Sequence, residues 1–221
     1  MLVSAENIEG IKKKYEHKVF FSGYLLRKEI LDLKKKDLKI TKNELSILIM
    51  GGSQSAKVFA EQLPEVIKKC SDNGIRFNIY QQCLDNQKNE LNKIYKELNL
   101  KFELFTFVKE LSRYYEKVDL AITRSGASSL AELVNSNIPF IAIPLPSSTD
   151  NHQLKNAMHF ESKGCCFLLE QKYIFEKLFE MLKDLNTDRN KLISLKEKMK
   201  KHSDLKSLPR TKELIKEILN E

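Results

Sequence analysis

A short apolar stretch in the middle of the chain is followed directly by small and hydroxylated residues. The stretch from Leu120 to Thr123 predicts a buried strand, and the segment from Ala127 to Glu132 has the residue spacing of a helix. Only small residues stand in the first turn of that helix, so its unpaired backbone N–H groups are open to a ligand. These donors lie at the positive end of the helix dipole, which favours a phosphate or diphosphate group.

Glu132 lies further along the same predicted helix, where its carboxylate can accept hydrogen bonds from hydroxyl groups of the same ligand. The spacing Ser129-x-x-Glu132 also fits a capping box, in which the two side chains only close the start of the helix. The local sequence leaves both interpretations open.

A second turn of similar composition follows the apolar stretch from Leu45 to Met50. Its residues, Gly51-Gly-Ser-Gln-Ser-Ala56, offer backbone N–H groups and the Ser53 hydroxyl group. The turn lacks the Lys-Ser/Thr pair of a P-loop and does not fit the Gly-x-Gly-x-x-Gly pattern of dinucleotide-binding proteins. An ordinary nucleoside triphosphatase is therefore not indicated, and a tight strand-to-helix turn with a serine cap remains the alternative.

Strands and helices alternate regularly from residue 45 onwards. The predicted strands are 2–4, 18–22, 45–50, 75–81, 102–107, 120–123, 138–145 and 165–169. The predicted helices are 5–15, 56–69, 86–98, 111–115, the helix after residue 126, one ending near 163, 174–185, 188–200 and one beginning at 211. Residues 27–36 are predicted to be a charged helix or a linker. This alternation predicts an α/β fold, a Rossmann-like parallel sheet with right-handed crossovers and helices on both faces.

Four loops with unusual chemistry follow predicted strands. They comprise residues 51–56, 106–109, 124–129 and 146–153, and they are rich in Gly, Ser, Gln and His. Ligands of parallel sheets bind at the carboxyl ends of the strands. Because core packing alone would not concentrate such residues at one edge, the sequence predicts a binding site there.

The chain is basic, with 38 Lys and Arg residues against 30 Asp and Glu residues and a net charge of +8. The lysine-rich runs alternate with acidic residues in helix-like segments, so solvated helix faces are the first interpretation. Attraction to an anionic membrane surface or an anionic substrate is the second. Nucleic acid comes third, because no basic motif is interleaved with aromatic residues. No apolar stretch approaches the ~18–20 residues that cross a bilayer.

The sequence contains neither an Asp-x-Asp motif nor cysteines at zinc-ligand spacing, so no metal site is indicated. The charge of a diphosphate would then be balanced by helix N-termini and an arginine, for which Arg27 and Arg124 are available. Asp150 and Asp119 are interpreted as a helix cap and as a residue at the start of a strand. The cysteines are predicted to be buried free thiols, two of them in a strand. They are Cys70, Cys83, Cys165 and Cys166.

Four segments, in order and at compatible spacings, resemble those of the MurG family. They are Gly51-Gly-Ser-Gln-Ser-Ala56, Arg124-Ser-Gly-Ala-Ser-Ser-Leu-Ala-Glu132, Pro139 with Ile143-Pro144, and Asp150-Asn-His-Gln-Leu-Lys-Asn-Ala157. The resemblance implies a GT-B glycosyltransferase that transfers N-acetylglucosamine from UDP-GlcNAc to lipid I, forming lipid II in peptidoglycan synthesis. It further implies catalysis without a metal or other cofactor, and a cytoplasmic location, peripheral on the inner face of the bacterial cell membrane.

The resemblance also implies roles for particular residues, but it assigns no catalytic base. Diphosphate and ribose would be held by Ser53 and by the turn of Ala127, Ser128, Ser129, Leu130, Ala131 and Glu132. Glu132 would accept from the ribose hydroxyls, the backbone of Val108 would meet the uracil, and Gln153 with His152 would contact the GlcNAc hydroxyls. Arg27 matches the arginine of the family's interdomain Gly-Asn-Pro-Val-Arg segment, although this chain has Gly23-Tyr-Leu-Leu-Arg27 there.

The same resemblance divides the chain into three parts. Residues 1–40 are expected to be the remnant of an acceptor domain with its linker, 41–205 the UDP-sugar-binding Rossmann-like domain, and 206–221 a C-terminal helix. We expect a truncated product, a mis-started gene or one half of a split enzyme, because the family's acceptor domain would precede Met1. The alternative function is a non-catalytic donor-binding subunit that docks on a separate, membrane-bound acceptor subunit.

Overall fold

A computed structural model describes residues 1–4, 11–33 and 44–220, with the side chains of residues 53–56 and 220 excepted. The strands of the described part are β1 (Leu2–Val3), β2 (Phe20–Phe21), β3 (Leu45–Met50), β4 (Phe77–Gln82), β5 (Lys101–Phe105), β6 (Leu120–Thr123), β7 (Phe140–Ala142) and β8 (Phe167–Leu168). Strands β1 and β2 form a small parallel pair, and the other six form one sheet in the order β5-β4-β3-β6-β7-β8. All neighbouring strands of this sheet are parallel, as the alternation of the sequence predicts.

The α-helices of the described part are α1 (Lys28–Leu31), α2 (Gly52–Asp72), α3 (Lys88–Glu97), α4 (Ser112–Tyr115), α5 (Ala127–Asn135), α6 (His152–Ser162), α7 (Phe179–Thr187), α8 (Asn190–His202) and α9 (Ser207–Asn220). Short 3-10 turns lie at Lys13–Lys18, Asp85–Gln87, Thr149–Asn151 and Gln171–Tyr173, and a π-helical turn, Ile174–Leu178, leads into α7.

Both faces of the sheet are covered by helices. On one face, Ile47 and Ile49 of β3 share a core with Phe59 of α2 and with residues of α3 and α7. On the other face, the alternate residue Leu48 shares a second core with Leu130 of α5 and with residues of α6. A strand buried on both faces needs apolar residues at nearly every position, and β3 has such a sequence.

The order of the strands changes direction between β3 and β6. The chain runs outward from β3 through β4 to β5, then returns to the other side of β3 and continues outward through β7 to β8. The helix after β3 therefore covers one face of the sheet and the helix after β6 covers the other. In open α/β sheets such a switch point opens a crevice at the carboxyl ends of the two strands, where ligands bind.

Strands β3 and β6 are also joined at their amino ends by Asp119. Its buried carboxylate accepts a hydrogen bond from the backbone N–H of Ser46 at 2.9 Å, and its own N–H donates to the Ser46 carbonyl at 2.8 Å. The interpretation of Asp119 as a residue at the start of a strand is confirmed.

Several helices and strands begin or end at other residues than predicted, because Gly, Ser or Pro lies near the boundary. Helix α2 begins four residues before the predicted start at Ala56, because the first helical turn tolerates the Gly and Ser residues that disfavour a helix interior. Strand β7 is shorter than 138–145, since Pro139 and Pro144 cannot donate to a neighbouring strand. Helix α9 begins before Thr211 because Pro209 lies in its first turn, where its missing N–H costs nothing.

The structure also differs from the predicted strand at Cys165 and Cys166 and from the predicted helices near the start of the chain. All four cysteines are buried free thiols as expected, but Cys165 and Cys166 precede β8 and do not lie within it. Of the predicted helix 5–15, residues 5–10 lie outside the described part, and the remainder contains only the 3-10 turn at Lys13–Lys18. The segment 27–36, predicted to be a charged helix or a linker, contains the single turn α1, and residues 34–36 lie outside the described part.

The segment around β2 lies against the junction of α8 and α9. Arg210 of α9 pairs with Asp204 at 2.8 Å, and its guanidinium carbon lies 5.0 Å from the centre of the Phe21 ring. Gly23 has a φ angle of 76°, and a Cβ atom there would collide with an Asp204 carboxylate oxygen. The positive φ angle favours glycine, and the Asp204 side chain would have to move to admit any other residue.

Two histidines and a lysine line a cavity of about 460 Å³ between this segment, α5, α6 and α8. The pKa of His159 is lowered by burial and then by the nearby charges of Lys163 and His202. The pKa of His202 is lowered by burial and then by Lys163 and Lys201. Both imidazoles therefore bind protons less readily in the folded chain than in the unfolded chain.

We expect the free energy of unfolding to fall as the pH drops from about 7.5 through 6.5, the ordinary pKa of histidine. Over this range the unfolded chain binds protons at His159 and His202 before the folded chain does. Urea unfolding at a series of pH values measures the slope, which His159→Gln and His202→Gln should each reduce. Met158→Gln on α6 adds no titratable group and serves as the control, and an unchanged slope in both histidine variants would contradict the assignment.

Candidate functional site

The first turn of α5 has no side-chain cap. Its N-cap residue is Gly126, in an extended conformation, and among the described side chains none is found to cap the first N–H groups. Ser128 is exposed, while Gly126 and Ser129 are half-buried, so the turn is reached from outside. Ser129 is the third helical residue and cannot act as the N-cap, so the capping-box interpretation with Glu132 is wrong. Because Leu130 and Ala131 are buried in the core, this turn offers a ligand chiefly its backbone N–H groups and serine hydroxyls.

Arg124 does not take the role proposed from sequence as a partner of the diphosphate. Its guanidinium donates to the backbone carbonyls of Ile143 and Pro144, both at 3.2 Å, and to Oε1 of Gln171 at 2.7 Å. It also lies over the Phe59 ring at 4.5 Å, and burial lowers its pKa to about 10. The side chain therefore holds the ends of β6 and β7 together, and its buried Nη groups are already engaged within the protein.

Arg27 and Glu132, separated by 105 residues in sequence, form a bidentate ion pair. Nε of Arg27 donates to Oε1 of Glu132 and Nη2 donates to Oε2, both at 2.7 Å. The hydrogen bond to Glu132 raises the pKa of Arg27. Glu29 lies 3.2 Å from the same guanidinium, and the Tyr115 hydroxyl lies 3.5 Å from Oε2 of Glu132.

This pairing leaves acceptor capacity on Glu132. A carboxylate has about four lone-pair sites on its two oxygens, and a bidentate arginine uses two of them. The pair therefore orients the Glu132 carboxylate. Because the Tyr115 hydroxyl also donates to Oε2, the lone pair that remains for a ligand hydroxyl lies on Oε1. The same pair fastens the segment before α1 to helix α5.

Gln82, at the end of β4, connects two of the four loops. Its Oε1 accepts a hydrogen bond from the Gly52 N–H at 3.0 Å, and its Nε2 donates to the Thr106 carbonyl at 3.2 Å. It thus links the turn after β3 to the loop that carries Val108. Sequence analysis missed this residue, although a polar side chain at the end of a half-buried strand is a usable signal.

The loop after β5 carries an exposed aromatic ring. Val108 is half-buried against the core beneath α5, whereas the Phe107 side chain is 83% exposed. Ser53 lies in the first turn of α2, and its side chain lies outside the described part. The predicted contacts of Val108 with the uracil and of Ser53 with the diphosphate therefore stay predictions.

The loop before α6 contains two residues with left-handed backbone, Asp150 (φ 49°) and Asn151 (φ 54°). The N-cap position of α6 is Asn151, so the interpretation of Asp150 as the cap is wrong. His152 is exposed, and its Nδ1 lies 2.6 Å from the Thr149 carbonyl. Gln153 contacts the turn before α5, since its Oε1 accepts from the Ser125 N–H at 3.1 Å.

Within residues 1–4, 11–33 and 44–220, no group of three His, Cys, Asp or Glu side chains is arranged to hold a metal ion. Across the same ranges, no helix combines the length and the apolar character needed to cross a bilayer.

The parallel sheet with its switch point between β3 and β6, and the helices on both of its faces, define a Rossmann-like α/β domain. The sequence profile of the glycosyltransferase family 28 C-terminal domain matches residues 46–215. This match covers most of the chain, and the protein belongs to that family.

Individual relatives agree with this assignment. The enzyme named UDP-N-acetylglucosamine--N-acetylmuramyl-(pentapeptide) pyrophosphoryl-undecaprenol N-acetylglucosamine transferase from Pelagibacter ubique is 36% identical over 197 residues, which are 89% of this chain and 54% of that protein. The protein of the same name from Rickettsia bellii is 33% identical over 216 residues, 92% of this chain and 61% of that protein. The chain thus spans little more than half the length of these relatives.

A solved structure, that of Acinetobacter baumannii MurG, superposes with a TM-score of 0.70 at 25% sequence identity. The match covers 89% of this chain and 54% of that one. The predicted resemblance to the MurG family and the predicted α/β fold of a GT-B half are both confirmed.

We expect the Arg27–Glu132 pair to contribute about 1–2 kcal/mol of coupling to the free energy of unfolding, because Glu132 is nearly buried and both its oxygens are engaged. A double-mutant cycle with Arg27→Ala and Glu132→Gln, followed by urea unfolding, measures it. The matched control is the exposed pair of Arg27 with Glu29, for which the cycle with Glu29→Gln should give about 0.5 kcal/mol or less. Equal coupling in the two cycles would show that the bidentate geometry adds nothing.

Proposed function

We propose that this chain is the donor-binding half of a MurG-type glycosyltransferase, which transfers N-acetylglucosamine from UDP-GlcNAc to lipid I. One observation carries the proposal: an uncapped helix terminus and an oriented carboxylate lie on the same helix, α5, at the switch point of the sheet. The relatives that bear this activity in their names match the chain along nearly its whole length.

The donor would lie across the carboxyl edge of the sheet. Its diphosphate would accept hydrogen bonds from the first turn of α5, at Ala127, Ser128 and Ser129, and from the first turn of α2, which contains Ser53. Both helix dipoles point their positive ends at this position. Negative charge that develops on the departing diphosphate is then stabilised by fixed backbone donors, and the residues present supply this without a metal ion.

The remaining parts of the donor would meet the neighbouring loops. Glu132 would accept hydrogen bonds from the ribose hydroxyls, and the backbone of Val108 would contact the uracil. His152 and the Nε2 group of Gln153 would face the GlcNAc hydroxyls. Arg27, which is 41% exposed at its side chain, adds positive charge beside the nucleotide while it orients Glu132.

We assign the acceptor site and the catalytic base to an acceptor domain outside this chain's residues 41–205. Residues 1–40 would then be the end of that domain with the linker, and residues 206–221 a C-terminal helix. The net charge of +8 would help to hold the assembly at the anionic inner face of the bacterial membrane, where lipid I resides.

A second candidate is a non-catalytic donor-binding subunit of a split GT-B enzyme, docking on a separate membrane-bound acceptor subunit. Both candidates share the same donor site.

Calorimetry with UDP-GlcNAc, UDP-glucose and GDP-mannose tests the donor. We expect UDP-GlcNAc to bind tightest and Glu132→Ala to weaken it about tenfold or more, because one or two hydrogen bonds to a charged acceptor are lost. The same variant should bind UDP and 2′-deoxy-UDP with similar affinity. Glu29→Ala, on the other side of Arg27, is the matched control, and equal losses in the two variants would contradict the role of Glu132.

A turnover assay with lipid I and UDP-GlcNAc tests whether the acceptor site lies in another domain. We expect the purified chain to bind the donor but release no UDP until an acceptor domain or subunit is added. Formation of lipid II by the chain alone would overturn the assignment of the acceptor site to another domain.

A further inference from the structure

Both backbone groups of Ser125 are held by two side chains of helix α6. The Ser125 N–H donates to Oε1 of Gln153 at 3.1 Å, and its carbonyl accepts from Nδ2 of Asn156 at 3.0 Å. Gln153 and Asn156 are three residues apart in α6 and therefore lie on the same side of that helix. Ser125 is fully buried and immediately precedes Gly126, the N-cap of α5.

Gln153 also holds a third segment of the chain. Its Oε1 accepts a second hydrogen bond, from the N–H of Leu145 after β7, at 3.0 Å. One carbonyl oxygen thus bridges the turn after β6 and the loop after β7, and its two lone pairs are both used. The oxygen has no remaining capacity for a sugar hydroxyl, so a contact with the sugar would use the Nε2 group alone.

Loss of these bonds would leave buried backbone groups without partners. Water does not reach the fully buried Ser125, and a buried N–H or carbonyl without a partner costs the full desolvation penalty. The turn would move to recover hydrogen bonds, and the N–H groups of the residues that follow it would move too. Donors displaced by about 1 Å stabilise an anion poorly.

We propose that Gln153 and Asn156 are positioning residues that hold the turn at Ser125 so that the first N–H groups of α5 point at a diphosphate. This inference rests on the proposed function, and it gives Gln153 a role beyond the sugar contact expected from sequence. It also couples the helix next to the sugar to the turn next to the phosphates. A shift of α6 is therefore transmitted directly to the start of α5.

Binding of UDP, which has no sugar, separates a positioning role from a sugar contact. In calorimetry with the whole chain, we expect Gln153→Ala and Asn156→Ala to weaken UDP binding about tenfold each. Met158→Ala, an exposed truncation on the same helix, should leave the affinity unchanged. If Gln153→Ala weakens UDP-GlcNAc but not UDP, Gln153 is a sugar contact only and the proposal is overturned.

A charge-matched pair of variants separates geometry from electrostatics. Gln153→Glu and Asn156→Asp each place one negative charge next to the same turn. The carboxylate introduced by Gln153→Glu would still accept from both N–H groups, whereas the one introduced by Asn156→Asp would face the Ser125 carbonyl with no proton to donate. We expect the Asn156→Asp variant to bind UDP at least about fivefold more weakly than the Gln153→Glu variant, and equal losses would overturn the positioning role.

Amide hydrogen exchange measures the hydrogen bonds from the Ser125 and Leu145 N–H groups to Gln153 in the absence of a ligand. Exchange at Ser125 and Leu145 should accelerate in Gln153→Ala and stay unchanged in Met158→Ala, with circular dichroism confirming that each variant is folded. Unchanged exchange at both amides overturns the inference, whatever the affinity. Failure of the unmodified chain to bind UDP refutes the proposed function instead, and the exchange data then decide alone whether α6 holds the turn.

Discussion

All six strands of the central sheet run in the same direction, so every turn from a strand into a helix lies at one edge. Backbone N–H groups at the starts of α2 and α5 are thereby brought to the same side of the molecule. The change of strand order between β3 and β6 sends these two helices to opposite faces and leaves a crevice between their first turns.

The loops at this edge are held mainly by amide side chains and one buried arginine. Gln82 joins the loops after β3 and β5, Gln153 joins those after β6 and β7, and Arg124 closes the ends of β6 and β7 against Gln171. Backbone donors at a turn are useful to a ligand only when the turn cannot move away from it. Rigidity of the edge is therefore supplied by side chains that need not touch the ligand themselves.

The two arginines near the site illustrate how burial decides a role. Arg124 is 5% exposed, and its Nη groups donate to two backbone carbonyls and to the Gln171 side chain, so it joins segments of the protein interior. Arg27 remains partly exposed and engages Glu132 through two of its guanidinium nitrogens. From the sequence alone, either arginine was a candidate partner of the diphosphate. Burial and hydrogen-bond partners distinguish the two side chains, and both depend on contacts between distant segments of the chain.

Sequence periodicity by itself determined the class of fold, because apolar stretches such as Leu45 to Met50 and the helical spacing after Gly126 depend only on neighbouring residues. It also determined that the four loops share one edge, since parallel strands leave no other arrangement. Element bounds near Pro139 and Pro209 followed local rules that the apolar pattern does not display.

Only the tertiary structure decided which polar groups meet. The pairing of Arg27 with Glu132 and the hold of α6 on Ser125 join residues far apart in the chain, and hydrogen bonds of about 3 Å depend on the relative placement of whole helices and strands.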